Sequence, residues 1–318
     1  MNTLLISAPV DQPWSYAGLE SALLLADRGL TLSRRAARTL PTGSPNFYVM
    51  SIEDLRFTSR LLSKPAPRGL AAETTLQHFA IVTYWVDPST LRKHLHPRFE
   101  PVCLAVDGRS HRALVSVVTF LDRDFRFVAC PWIARSFGQT NYRAYVEDTH
   151  TGEQAAWFFG TCLDSLAVAV PRHLWKLPWH RAQMTFDCQY DSAAARYSTF
   201  NVKTRSRWAP AQLVLEDSGR PPTRLSGVSN LEAGLVLLTH PMRGYFFRRD
   251  GVLGSYTIWH DRTTPTVGEV REARYPLLQR LELVSEGDRG NIHSVLLQPN
   301  IDFTIYLPPS RVRSERAG

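Results

Sequence analysis

The rhythm of apolar and polar positions changes near residue 75. Before it, one helical spacing stands out. Leu19, Leu23, Ala26 and Leu30 recur at the interval of an amphipathic helix between residues 15 and 40. The surrounding stretch is broken by Pro9, Pro13, Pro41, Pro45, Pro65 and Pro67. From about Thr75 onward, short runs rich in Val, Phe, Tyr and Thr alternate with turn residues, the pattern of strands. Residues 78–86 read as an apolar strand ended by Asp87-Pro88. Asp87-Pro88-Ser89 then starts a short helix through Leu95, with Asp87 or Ser89 as its cap. Residues 113–121 read as a second strand. Residues 140–147 and 154–162 make a hairpin around Asp148 to Gly152, and 184–190 pairs with 197–206. A further hairpin joins 245–247 to 254–260 through Asp250-Gly251. Residues 231–238 predict a short helix, and strands at 294–297 and 302–307 close the chain. Many strands with few helices predict an α+β fold, mainly antiparallel, whose sheet curls or closes and is flanked by helices.

The change of rhythm also divides the chain. Residues 1–72 read as an N-terminal extension with one helix, loosely attached, and 73–312 as the folded domain. Residues 313–318 form a frayed, disordered tail. Met50 offers a second start of translation, under which residues 1–49 would not be made.

Composition narrows the function classes. The apolar content of 44% is ordinary for a globular protein with a sizeable core. No apolar run approaches the roughly 20 residues that span a bilayer, so no membrane role is expected. No early basic cluster precedes an apolar stretch, and the four cysteines form no CxxC pair. The expectation is a cytoplasmic protein with reduced thiols. The net charge of +8 comes mostly from dispersed arginine rather than a basic stripe, which argues against nucleic acid as a partner.

Four positions alternate along the 140–147 strand: Gln139, Asn141, Arg143 and Tyr145 share one face. That face either lines an interior, where Arg143 could grip a carboxylate or phosphate, or meets solvent. His94 and His96 alone cannot hold zinc, so no metal is expected. Asp122-Arg123-Asp124 reads as a solvated turn, and Cys162 as a small buried hydrophobe. There is no GxSxG elbow, P-loop or GxGxxG, so no ATP, NAD or other cofactor is expected.

One stretch carries a resemblance. Pro171-Arg172-His173-Leu174-Trp175-Lys176-Leu177-Pro178-Trp179-His180 resembles the Arg-Glu-Ile-Trp-Gly-Phe-Pro-Lys-Lys signature of acetoacetate decarboxylases. With Trp85-Val86-Asp87-Pro88, residues 137–146 and the late strands, the domain is similar to a YqjF-like family of unknown function. That family lies in the acetoacetate decarboxylase-like superfamily. The resemblance implies a β-barrel-like core with flanking helices, enclosing a small-molecule cavity, and it makes a homo-oligomer plausible. It places Trp179 where the superfamily has its imine-forming lysine, Gln139 where it has a glutamate, and Lys176 at its glycine. Trp179 cannot form an imine, so acetoacetate decarboxylation is disfavoured.

The expected function is therefore a small-molecule enzyme acting without a Schiff base, of lyase, isomerase, dehydratase or cyclase type, on an oxo-acid, enol or polyketide-like ligand. The alternative is a non-catalytic binding barrel. The expected ligand is anionic or carbonyl-bearing. Arg143, Gln139, Asn141, Arg172 and Trp179 would bind it, and His180 and Tyr145 would move protons. Each has a plainer role open to it. Arg172 could pair with a structural carboxylate such as Asp164, His180 could be a loop histidine, and Trp175 is read as core packing.

Overall fold

A computed structural model describes residues 52–106 and 110–312. The helix expected between residues 15 and 40, the alternative start at Met50 and the tail 313–318 lie outside the described residues.

Seven strands close into a ring. They are β1 (Ala72–Val86), β4 (Ser110–Phe127), β5 (Arg135–Asp148), β6 (Gln154–Leu163), β11 (Arg243–Phe247), β12 (Leu253–His260) and β14 (Ile292–Arg311), which returns to β1. Every neighbouring pair is antiparallel except β6–β11. Closure removes the unpaired edges that an open sheet exposes. Short strands β2 (Phe99–Pro101), β3 (Cys103–Val106) and β7 (Trp179–Arg181) add to β5, β4 and β6. A second layer runs from β14 through β13 (Thr266–Arg274), β10 (Ala211–Asp217) and β9 (Arg196–Arg205) to β8 (Gln183–Asp191).

The two layers explain why the early strands read as unbroken apolar runs. Val82, Tyr84, Val115, Val117 and Tyr142 face outward from the ring and pack with Phe200, Val202, Leu213 and Leu215 of the second layer. The alternate residues, such as Ile81, Val118 and Tyr145, face inward. Strands buried on both faces have no polar alternation to show.

Part of the ring is filled by a helix. Of the helices α1 (Ser59–Leu62), α2 (Pro88–Arg92), α3 (Ala169–Leu174), α4 (Leu231–Thr239) and α5 (Pro276–Arg280), α4 is buried from Ala233 to Thr239. A helix that is apolar on all sides is stable only inside a core. Asn230 caps it by accepting from Glu232 N at 2.8 Å, and Leu235, Leu237 and Leu238 pack with Ile81, Val118 and Tyr145.

Several expectations need correction. The closing strands are one strand, β14. Within it, Pro299 lies opposite His78, between the pairs Gln77↔Asn300 and Phe79↔Gln298. His78 has φ +53 and sits in the irregularity of the β1–β4 ladder, so Pro299, which has no N–H to donate, faces a residue of β1 where that strand is already irregular. Strands β2, β3, β10 and β13 carried too little alternation to be read, and α2 stops at Arg92. The solvated turn at Asp122 is wrong, since Asp122 belongs to β4 and is buried. A loose extension through residue 72 does not hold for its last part. Ile52 is buried, Phe57 N donates to Glu232 Oε1, and Trp259 Nε1 donates to Leu62 O.

Candidate functional site

Within the ring lies a cavity of about 370 Å³. Its walls are mostly apolar, with Phe79, Phe120, Phe158, Tyr256 and Phe303 among them, and Trp175 and Trp179 contribute from the segment after β6. A few polar side chains enter this surface: Thr74, Asp122, Gln139, Asn141, Arg143 and His260 are the ones that matter for its chemistry. An apolar cavity with a few convergent polar groups is the usual form of a small-molecule site.

Strand alternation delivers the first group. Gln139, Asn141 and Arg143 all line the cavity, while Tyr142 between them and Ala144 just after pack outward. Gln139 Nε2 donates to Asn141 Oδ1 at 3.0 Å, and Thr161 Oγ1 donates to the same oxygen at 2.7 Å. Asn141 Oδ1 is thereby saturated, and the amide pair is held rigid.

Arg143 is 7% exposed and pairs with no carboxylate among the described residues. Its Nη2 donates to Leu238 O at 2.7 Å, and its Nε has no hydrogen-bond partner. Leu238 lies in the last turn of α4, where carbonyls lack helical partners and carry partial negative charge. The helix end thus offsets part of the buried charge, and one face of the guanidinium stays uncommitted.

Tyr145 shares the strand face but not the cavity. Its hydroxyl sits 2.7 Å from Ser116 Oγ and donates to Leu238 O at 3.1 Å, behind Arg143. His180 also lies outside the lining. Its ring stacks on Trp208 at 4.0 Å with planes 6° apart, and its Nδ1 accepts from Arg172 Nη1 at 3.3 Å. Burial, then Arg172 and Arg249, pushes its pKa down to about 4. The Trp208 ring needs Gly160, where an added Cβ would come within 2.6 Å of it. Arg172 does not reach the cavity either. It donates to Trp179 O and so ties α3 to β7, while Asp164 accepts from Met184 N.

Trp179 lines the cavity, and so does Trp175, for which the sequence favoured core packing over an aromatic wall. Lys176 takes φ +57, the left-handed conformation that glycine adopts most readily, consistent with the glycine the resemblance places there. Among the described residues no lysine lines the cavity.

Asp122 and His260 are among the cavity residues that were missed. Asp122 follows Val118 and Phe120 on the inward face of β4, and continuing the strand past Leu121 would have found it. It is 3% exposed, and its Oδ2 has no hydrogen-bond partner. Burial, opposed only by the Thr74 hydroxyl, pushes its pKa up to about 8. His260 follows Tyr256 and Ile258 in the same way on β12. Its two ring nitrogens lie 2.7 Å from Asp261 O and Thr239 O. A neutral imidazole carries one N–H, so only one of these contacts is a hydrogen bond when the ring is uncharged. Burial is the largest influence and lowers the His260 pKa; nearby Arg143 acts the same way, against the two carbonyls. Burial and His260 push the neighbouring His240 down to about 2.

Among the described residues no group of three or more His, Cys, Asp or Glu side chains could hold a metal ion. No helix among them is long and apolar enough to cross a membrane.

Fold and cavity define a closed, mainly antiparallel β-ring with flanking helices and a small-molecule-sized lumen. The chain belongs to the DUF2071 family, described as an uncharacterized conserved protein, which it matches over residues 73–301. No curated protein matches it. Among solved structures it is similar to acetoacetate decarboxylase from Legionella pneumophila subsp. pneumophila str. Philadelphia 1. That likeness has 17% identity and a TM-score of 0.49, over 81% of this chain and 98% of that one. An acetoacetate decarboxylase-like enzyme from Sphingomonas wittichii RW1 gives 13% identity and a TM-score of 0.49, over 78% and 95%. The enduracididine biosynthesis enzyme MppR complexed with pyruvate gives 11% and 0.48, over 78% and 91%. At these identities and scores, none of the three defines a substrate or a reaction for this chain.

Proposed function

We propose that the chain binds a largely apolar small molecule in the ring lumen, through an anionic or carbonyl oxygen held by Arg143. The observation that carries this reading is the Arg143 guanidinium. It is buried, without a carboxylate partner, and its Nε is unused at the wall of an apolar cavity. A buried cation is stable when paired and fully hydrogen-bonded, and a ligand oxygen completes the pairing. Gln139 and Asn141 stand beside it to orient that oxygen, and Trp179 forms part of the apolar wall. Imine chemistry finds no support, since the described lining contains no lysine amine.

A second reading is an enzyme of lyase, isomerase, dehydratase or cyclase type, acting on an oxo-acid, enol or polyketide-like ligand. The observation favouring it is Asp122, a lumen carboxyl whose pKa of about 8 suits proton transfer near neutrality. His180 and Tyr145 do not line the cavity.

The test is binding of saturated carboxylates from octanoate to dodecanoate to the full chain, read by titration calorimetry, with native mass spectrometry of the purified protein alongside. Wild type is expected to bind within the series. Arg143→Met, which keeps the apolar stem, is expected to weaken binding at least tenfold, the value of a charge-assisted hydrogen bond of about 1.5–3 kcal/mol. Equal affinity in the two proteins would defeat the Arg143 anchor.

A further inference from the structure

Asp122 is the lumen's other unsatisfied group. Across the two ladders that flank it, its register partners are Leu76 on β1 and Phe137 on β5, both lining residues. No Lys, Arg or His forms an ion pair with it among the described residues. A carboxylate with no cation and an unpartnered oxygen is costly in such surroundings, whereas a protonated carboxyl is a hydrogen-bond donor with spare acceptor capacity.

Register separates it from the guanidinium. Arg143 pairs with Ser116, and the ladder runs without a slip from Ser116 to Asp122. That is roughly 20 Å of strand at about 3.3 Å per residue. Between these ends the inward side chains of β4 are Val118 and Phe120, faced by Phe79 and Phe303 in the same lining.

We propose that the ligand has two oxygen-bearing ends joined by an apolar body: an anionic end on Arg143, and a neutral carbonyl or hydroxyl end that accepts or donates a hydrogen bond at the Asp122 carboxyl in its neutral form. This extends the binding reading above and rests on its Arg143 anchor. The chemical class is a medium-length hydroxy- or oxo-carboxylate, in contrast to a simple fatty acid. Arg143 selects the charge, and Asp122 selects the second oxygen.

The experiment compares decanoate, 10-hydroxydecanoate and 9-oxodecanoate by titration calorimetry on the full chain. Wild type is expected to bind at least one of the two-ended probes about tenfold more tightly than decanoate, equivalent to about 1.4 kcal/mol, the scale of one net hydrogen bond. Asp122→Asn, which still donates and accepts, is expected to keep that preference. Asp122→Leu is expected to lose the preference, binding the two-ended probes no more tightly than decanoate. Equal affinities for the three probes in wild type, or a preference that survives in Asp122→Leu, would overturn the two-ended ligand while leaving the Arg143 anchor intact. If wild type binds none of the carboxylates, the anchor itself falls and the two-ended ligand falls with it. The wild-type comparison needs no variant, so a folding defect in Asp122→Leu cannot mask the result.

Discussion

Asp122 makes a quantitative prediction about the unliganded protein. The perturbation is Asp122→Asn, which preserves size and removes the proton. In the folded chain the carboxyl titrates near 8, against an ordinary value of 3.8 when exposed. Below about pH 4 both states are protonated and the group contributes nothing to pH dependence. Between these values the unfolded chain has released its proton and the folded chain has not. Stability therefore falls as pH rises through this window, and levels off above about 8. The slope is about 1.36 kcal/mol per pH unit. At pH 7 the window has been crossed for about three units, so the penalty approaches about 4 kcal/mol. That figure is an upper bound, because water entering the adjoining lumen would solvate an ionised carboxylate. The assay is equilibrium urea denaturation of wild type and Asp122→Asn at pH 5, 6, 7 and 8. Taking the difference between the two proteins cancels every other titrating group. The stability advantage of Asp122→Asn should grow by up to about 1.4 kcal/mol with each pH unit from 5 to 8. A difference that stays constant across this range, or that shrinks as pH rises, would show that Asp122 is ionised in the folded protein.

Two further substitutions probe the residues around the cavity. Gly160→Ala drives a methyl to within 2.6 Å of the Trp208 ring and 3.0 Å of Pro178 O, and should cost about 1–3 kcal/mol of stability in denaturant titration, accompanied by a change in tryptophan emission; an unchanged midpoint would mean that the ring relaxes freely. His180→Gln removes the ring stacked on Trp208 and should lose about 0.5–1.5 kcal/mol of stability. Carboxylate affinity should stay within twofold of wild type, and a tenfold loss would return His180 to the site.

Much of the fold was legible because the ring strands state their ends clearly. Asp87-Pro88, Asp148 to Gly152 and Asp250-Gly251 are strong punctuation, and each marks an observed boundary or turn. What the sequence withheld was pairing over long distances. Nothing local in β14 announces that one strand joins β1, β12 and β13. The candidate site was legible to the same degree. Period-two alternation grouped Gln139, Asn141 and Arg143, but could not show that α4 would cut the lumen off before Tyr145. His180 falls outside the lining for the opposite reason. It was chosen from its neighbours in sequence, while its ring direction is decided by Trp208, distant in the chain. Asp122 was lost because two aspartates around an arginine look like a surface turn when the strand's true length is unknown.

The electrostatics of the lumen follow from where α4 ends. Its last-turn carbonyls supply a partial negative charge, roughly half an elementary charge at most. That is enough to draw Arg143 inward through Leu238 O and too little to neutralise it. Burial first, with the Arg143 charge as a smaller contribution, lowers the pKa of both His240 and His260, which disfavours further cations beside a ligand anion. At the far end of the inward face of β4, Asp122 stays uncharged up to about pH 8. Among the described lining residues, Arg143 is thus a buried positive charge without a full counterion. An anionic ligand supplies that counterion from outside the chain. A second fixed cation at Trp179 would add to the positive charge, whereas the indole there extends the apolar wall along which the ligand body lies.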